Sequence, residues 1–154
     1  MRHWLIKSEP DVFSIDDLAR VKREPWTGVR NYQARNSMWK DMRPGDTALF
    51  YHSNATPPGV AGVAKVVGEA YPDPTQFDKK SEYYDPKATP ENPRWWLVDF
   101  EFVAKFPQYV SLVELKEDEA LQGMVVVQKG TRLSITPVEP ADFKRVCRLG
   151  GLKK

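Results

Sequence analysis

The chain lacks most of the devices by which small proteins staple themselves or acquire chemistry. It has one cysteine, Cys147, among 154 residues, which excludes a disulfide framework. Its two histidines, His3 and His52, stand with that cysteine in no ligand spacing, such as a close Cys pair or His-Glu-x-x-His. No metal site is therefore expected. No run approaches the ~20 apolar residues that span a bilayer, so no membrane partner is expected. No glycine-rich phosphate loop and no G-x-S-x-G elbow occurs, so no nucleotide cofactor or esterase-type serine is indicated. His52 and Ser53 are adjacent on a strand and face opposite sides, so they do not pair as base and nucleophile. The opening "MRHWLIKSEPDVF" lacks the apolar stretch of a signal peptide. With the cysteine count, it reads as the start of a cytosolic protein.

Charge of one sign is also missing: 23 basic against 21 acidic residues leave a net +2. The local distribution says more. Arg20, Lys22, Arg23, Arg30, Arg35, Lys40 and Arg43 fall within one stretch, against Glu24 and Asp41. Acidic residues collect in "VELKEDEAL". A basic side on a nearly neutral protein suits phosphate contacts. What the chain has in abundance is flat side chains, with five Trp, six Tyr and seven Phe, and thirteen Pro for turns. The length suits one domain, expected over residues 2–150.

Periodicity gives a mixed α+β pattern. "HWLIK" reads as a strand. "SIDDLARV" reads as a helix capped by Ser14, with Asp17 at the reciprocal position. "REPWTG" reads as a linker, and "NYQARNSMWKDM" as a helix capped by Asn31, with Arg35 and Trp39 on one face. "TALFYHS" is a strand whose Tyr51 and Ser53 oppose Phe50 and His52. "VAGVAKVVGEAY" is a central strand whose glycines suggest a bulge. Residues 72–94 form a long irregular stretch, often functional at such length. "WWLVDFEFVAKF" is a long strand, with Asp99 a carboxylate in need of donors if its face is buried. "SLVELKEDEAL" is a helix with a Ser111–Glu114 capping pair. "MVVVQ" reads as a short strand or a helix end, and "RLSITPV" as a strand. "PADFKRVCRLG" is a helix from Pro140 to Gly150. About five or six strands with irregular helices argue for a small curled sheet or barrel rather than a doubly wound sheet.

"WTGVRNYQARN" holds the recognition inventory. Trp26 and Tyr32 can stack on a planar group. Asn31, Gln33 and Asn36 can each donate and accept. Arg30 and Arg35 suit phosphates or a base edge. Gly28 lets the backbone come close. Enclosing a nucleobase takes flat walls and polar groups for its edge, and this stretch supplies both.

These strings, together with "WLIKSEP", "FYHSN", "GVAGVAKV", "AYPDPTQFD", "YYDPKATPENPRWWLVD" and "RLSITPV", resemble the EVE domain family from about Trp4 to Phe143. The resemblance implies a PUA-like curled β-barrel of about five or six strands with surrounding helices. It also implies kinship with the YTH domain, which holds methylated adenine in an aromatic cage. By that likeness the domain reads a modified base, expected to be modified cytosine in DNA, in an aromatic-walled pocket. The implied pocket takes Lys7 and Ser8, Trp26 as one wall, the neighbouring Gly28, Val29, Arg30 and Asn31, and Tyr51, His52, Ser53 and Asn54 at a second strand end. Trp95 or Trp96 is expected as the second wall, with Asp99 nearby. Arg30, Arg35 and Arg132 are the expected phosphate contacts. A prokaryotic cytoplasm, or a nucleus in a eukaryote, and a monomer are expected.

A second reading is an enzyme acting on a modified nucleobase or nucleotide, with Asp99, Glu9 or His52 as acid or base. A third is a protein-binding adaptor, which would carry an exposed apolar patch.

Overall fold

Continuous apolar runs set the architecture, because successive side chains of a strand point to opposite faces and a sheet covered on both sides must bury both. The computed structural model of the protein describes residues 1–128 and 133–152. Six strands form one sheet: β1 (His3–Ser8), β2 (Arg23–Pro25), β3 (Thr47–His52), β4 (Gly59–Pro72), β5 (Trp96–Ser111) and β6 (Ile135–Val138). Their order is β2-β5-β4-β3-β1-β6. The β1–β3 pair is parallel; the other pairs are antiparallel.

The α+β class and the strand number agree with the sequence, but the barrel does not form. The strands at the two ends of the sheet, β2 and β6, do not pair with each other, so the sheet stays open. The physical reason lies in those edges. The first has three residues and the second four, and each contains a proline, Pro25 and Pro137. Short edges that lack N–H donors resist further pairing.

The two faces of the sheet build two cores. Trp4, Ile6, Ala48 and Phe50 join Trp26, Val98 and Phe100 in one cluster. Leu5, Leu49, Tyr51, Val60 and Phe106 join Val146 and Cys147 in the other. Both β1 and β3 therefore alternate cleanly between cores. The β4–β5 ladder shifts register beside Gly62, as the glycine pattern suggested. A Cβ there would meet the Ala104 carbonyl at 2.3 Å.

Local sequence sets the helix ends. α1 (Ile15–Val21) begins with a full Ser14–Asp17 capping box, and α3 (Leu112–Glu117) with the Ser111–Glu114 one. Asn31 caps α2 (Tyr32–Asn36), accepting from the Ala34 N–H at 3.1 Å. α4 (Pro140–Leu149) starts on its proline and stops at Gly150. Three expectations need correction. Residues 23–25 of the expected linker are strand β2, because Pro25 sits harmlessly on an edge. The expected long second helix is five α-helical residues followed by a π-helical turn, Ser37–Asp41. "MVVVQ" contains a 3₁₀ turn, Val125–Val127, rather than a strand.

Candidate functional site

Residues 72–94 are irregular yet firmly tied, and this tie shapes the site. Gln76 is fully buried and uses all of its bonding capacity. Its amide donates to the carbonyls of Asp73 and Trp95, both at 2.8 Å. Its oxygen accepts from the N–H groups of Arg94 (2.9 Å) and Trp95 (3.0 Å). Buried Asp73 accepts from the Thr75 N–H and, across the chain, from the Gly28 N–H, both at 2.8 Å. Arg30 completes the joint. It donates to Asp73 at 3.3 Å, to Thr75 Oγ1 at 3.1 Å and to the Tyr83 carbonyl at 2.6 Å. The irregular segment thus folds onto the "WTG" turn.

That docking brings the Tyr83 ring against Gly28. The glycine has φ +80°, and a Cβ on it would lie 2.6 Å from the ring. Only glycine serves here, for its backbone angle and for the space. Beside this contact opens a cavity of about 350 Å³, within the roughly 300–1,000 Å³ usual for ligand pockets. Trp26, Phe13, Val29 and Tyr83 supply its apolar lining; Lys7, Ser8, Glu24 and Ser134 supply polar groups. Trp26 is nine-tenths buried and packs edge-on against Phe50 and Phe100, with ring centroids at 5.9 and 5.2 Å. It is therefore a core residue with one border on the cavity. Ser8 donates its hydroxyl to the Phe13 carbonyl. The Lys7 ammonium stands 5.9 Å from the Tyr51 ring, and burial lowers its pKa.

The structure brings together Lys7, Ser8, Trp26 and Val29 around this cavity, with Gly28 behind Tyr83. Other expected site residues lie elsewhere. Tyr51 is buried in the second core, where desolvation pushes its phenol up to about 12. His52 Nε2 accepts the Ile15 N–H at 3.1 Å, and burial lowers its pKa. The imidazole is thus a neutral cap at the start of α1. Ser53 donates its N–H to the Ser8 carbonyl, and Asn54 donates to Glu9 at 2.8 Å. His52 and Asn54 border a separate surface concavity with Tyr109.

Neither tryptophan of the "WW" pair lines the Trp26 cavity. Trp95 stacks on Tyr32 at 4.9 Å and donates its indole N–H to Asp85 at 2.8 Å. Trp96 stacks on Trp39 at 4.7 Å. Asp99 has found the arginine its burial required. Arg23 Nε donates to one oxygen at 2.8 Å and the Tyr71 hydroxyl to the other at 2.6 Å. Burial and that bond push the Tyr71 phenol up to about 12. Arg35 lies over Tyr32 (4.6 Å) and Trp39 (5.5 Å) and donates to the Arg94 carbonyl at 2.8 Å. Arg132 lies outside the described residues.

Two residues escaped the sequence reading. Tyr83 belongs to the irregular segment, whose length alone marked it. Glu24 lies two residues before Trp26 in the expected linker; with 23–25 a strand, the two share a face. Its carboxyl is held above the ordinary carboxylate range, first by burial and then by the nearby Asp99 charge. Among the described residues no group of three or more His, Cys, Asp and Glu could hold a metal ion.

A larger concavity, about 980 Å³, lies between β5 and α4, and Glu114, Glu117, Asp118 and Glu119 line it. Its Arg145 is paired with Asp118 at 2.9 Å. No described helix is long and apolar enough to cross a membrane.

An open, helix-flanked sheet with an aromatic-walled cavity at one strand end defines a small α+β ligand-binding module. The chain belongs to the EVE domain family, whose model matches residues 2–149. It is 42% identical to human thymocyte nuclear protein 1 over 166 residues, covering 96% of this chain and 73% of that protein. It is similar to a hypothetical protein from Leishmania major, with 51% identity, a TM-score of 0.91, and coverage of 97% of this chain and 94% of that one. The human THYN1 protein in complex with 5-methylcytosine containing DNA superposes with a TM-score of 0.90 at 41% identity, covering 100% of both chains.

Proposed function

We propose that this protein is a non-catalytic reader of DNA carrying a modified cytosine, and that the base enters the cavity between Trp26 and Tyr83. The observation that carries this reading is the cavity itself: an indole border, a phenol ring and a polar rim within about 350 Å³. The likeness to a relative solved with 5-methylcytosine DNA supports it.

The energetics set what else is needed. Extruding a base from duplex costs a few kcal/mol. Stacking returns roughly 1–3 kcal/mol per base. The cavity alone therefore does not hold duplex, and cations must meet the backbone. Exposed Lys40 and Arg43 are available for this, with Arg35 at the edge of its stack. Arg30 is spent on Asp73, Thr75 and Tyr83, so its role is to hold the wall. A cytosine 5-methyl, buried against Val29 or Phe13, adds about 0.8 kcal/mol if it behaves as one CH₂.

The test is a titration with matched duplexes bearing cytosine or 5-methylcytosine at two salt concentrations. A preference for the methylated duplex that survives high salt and disappears in Tyr83→Ala is expected. Equal, salt-sensitive binding to both duplexes would sink the reading and leave only a basic surface.

A further inference from the structure

We infer that Glu24 reads the base: its carboxylate accepts the exocyclic amine of the cytosine held in the cavity and so selects 5-methylcytosine over thymine. The inference rests on the base-pocket reading above and names the residue that gives it selectivity.

The placement follows from strand geometry. In β2, Glu24 pairs with Phe100, and Pro25 with Asp99. Trp26 continues the ladder by donating its N–H to the Val98 carbonyl at 3.1 Å. Glu24 and Trp26 therefore share one face, next to one another along the strand, and both border the cavity. Arg23 and Pro25 alternate to the opposite face of the strand, although Pro25 also borders the cavity. On that face Arg23 is engaged with Asp99, its Nε 2.8 Å from Oδ2, and is not turned to its neighbour. Glu24 has no hydrogen-bond or ion-pair partner among the described residues. A half-buried carboxyl beside an indole and without a donor is under-solvated, and its raised pKa reflects this. Such a group gains most from a donor that arrives with the ligand. The other carboxylate at the cavity, Glu82, is exposed at the rim and belongs to the docked irregular segment.

The chemistry distinguishes the pyrimidines. Cytosine presents an N4 amine, a donor, where thymine presents the O4 acceptor. A carboxylate accepts from the first and opposes the second. Thymine also carries the 5-methyl group, so 5-methylcytosine and thymine offer the cavity the same apolar shape. Stacking and methyl burial do not tell them apart; only a group that reads the edge does.

The experiment uses fluorescence anisotropy on duplexes with one central 5-methylcytosine or thymine opposite an abasic site, so that neither base has a pairing partner to lose. Wild type is expected to prefer 5-methylcytosine by roughly ten- to hundredfold, the worth of one charge-assisted hydrogen bond. Glu24→Ala should lose that preference by weakening the 5-methylcytosine complex and, with the carboxylate that opposes O4 gone, by relieving the thymine complex. Glu24→Gln, whose amide both donates and accepts, should raise thymine binding towards that of 5-methylcytosine. Thermal melts confirm that each variant is folded, and the Gln variant keeps the shape of the site. If wild type prefers 5-methylcytosine and both variants keep the full preference, the role of Glu24 is overturned while the pocket stands. If wild type binds both strands equally and Tyr83→Ala changes nothing, the pocket reading itself falls.

Discussion

Two concavities of this protein differ in the way that matters for a ligand. The larger, about 980 Å³, is walled by Glu114, Glu117, Asp118 and Glu119, and its arginine is already paired. The smaller, about 350 Å³, has an indole border, a phenol wall and two carboxyls, the half-buried Glu24 and the exposed rim residue Glu82, with Lys7 among its lining. Size favours the first and chemistry the second. A polyanion is repelled by four clustered carboxylates, whereas a planar base needs a flat wall and one or two polar groups. The difference also lies in construction. The acidic concavity lies beside α3, which caps itself locally through Ser111 and Glu114. The aromatic cavity depends on a distant segment that Asp73 and Arg30 tie to the "WTG" turn and that Gln76 ties to Arg94 and Trp95.

The comparison can be broken most forcefully at Trp26. Because Trp26 packs against Phe50 and Phe100 as well as bordering the cavity, Trp26→Ala should cost about 3–5 kcal/mol of stability, read from urea unfolding. Loss of binding in that variant alone therefore does not identify a wall residue. Tyr83→Ala is the cleaner cut, since the ring is 37% exposed. It should weaken binding to methylated duplex by roughly 1–3 kcal/mol, and retained affinity would remove Tyr83 from the wall. Gly28→Ala should act on the same wall from behind. A Cβ there collides with the Tyr83 ring and sits at φ +80°, so a stability loss on the order of 1–3 kcal/mol is expected along with weakened binding. Unchanged melting and affinity would mean that the turn does not hold the ring.

Smaller effects sharpen the contrast. His3 and His52 both have pKa values lowered chiefly by burial. Below about pH 6.5 the unfolded chain binds more protons than the folded one. Stability from these groups is thus complete above that pH and is lost as pH falls through the folded values. The urea midpoint should decline in that window, and His52→Gln should flatten part of the decline. Asp118→Asn, on the acidic concavity, should leave DNA affinity unchanged in the same titration. An appreciable change in either direction would place the binding face at the acidic concavity instead.

Much of this was legible in the residues. Ser14 with Asp17, Ser111 with Glu114, Asn31, Pro140 and Gly150 mark helix ends through bonds that span only a few positions. The alternation in "HWLIK" and "TALFYHS" sorted side chains between the two cores. Family membership was carried by long uninterrupted strings. That Tyr83 borders the Trp26 cavity was not legible, because "WW" offers two bulky rings at a strand start while Tyr83 sits in an irregular segment with no period to follow. Asp99 announced its need for a donor, but Arg23 could be named as that donor only once β2 was paired with β5.

The sequence by itself determined the strands other than β2, the caps, the buried alternation and the family, since these depend on neighbours along the chain. Only the tertiary structure decided that the sheet stays open, that Tyr83 closes on Gly28, and that Glu24 faces the cavity beside Trp26. Each of those depends on contacts between residues far apart in the chain, held by buried polar groups such as Asp73 and Gln76. Their partners are chosen by where the backbone groups they must satisfy end up.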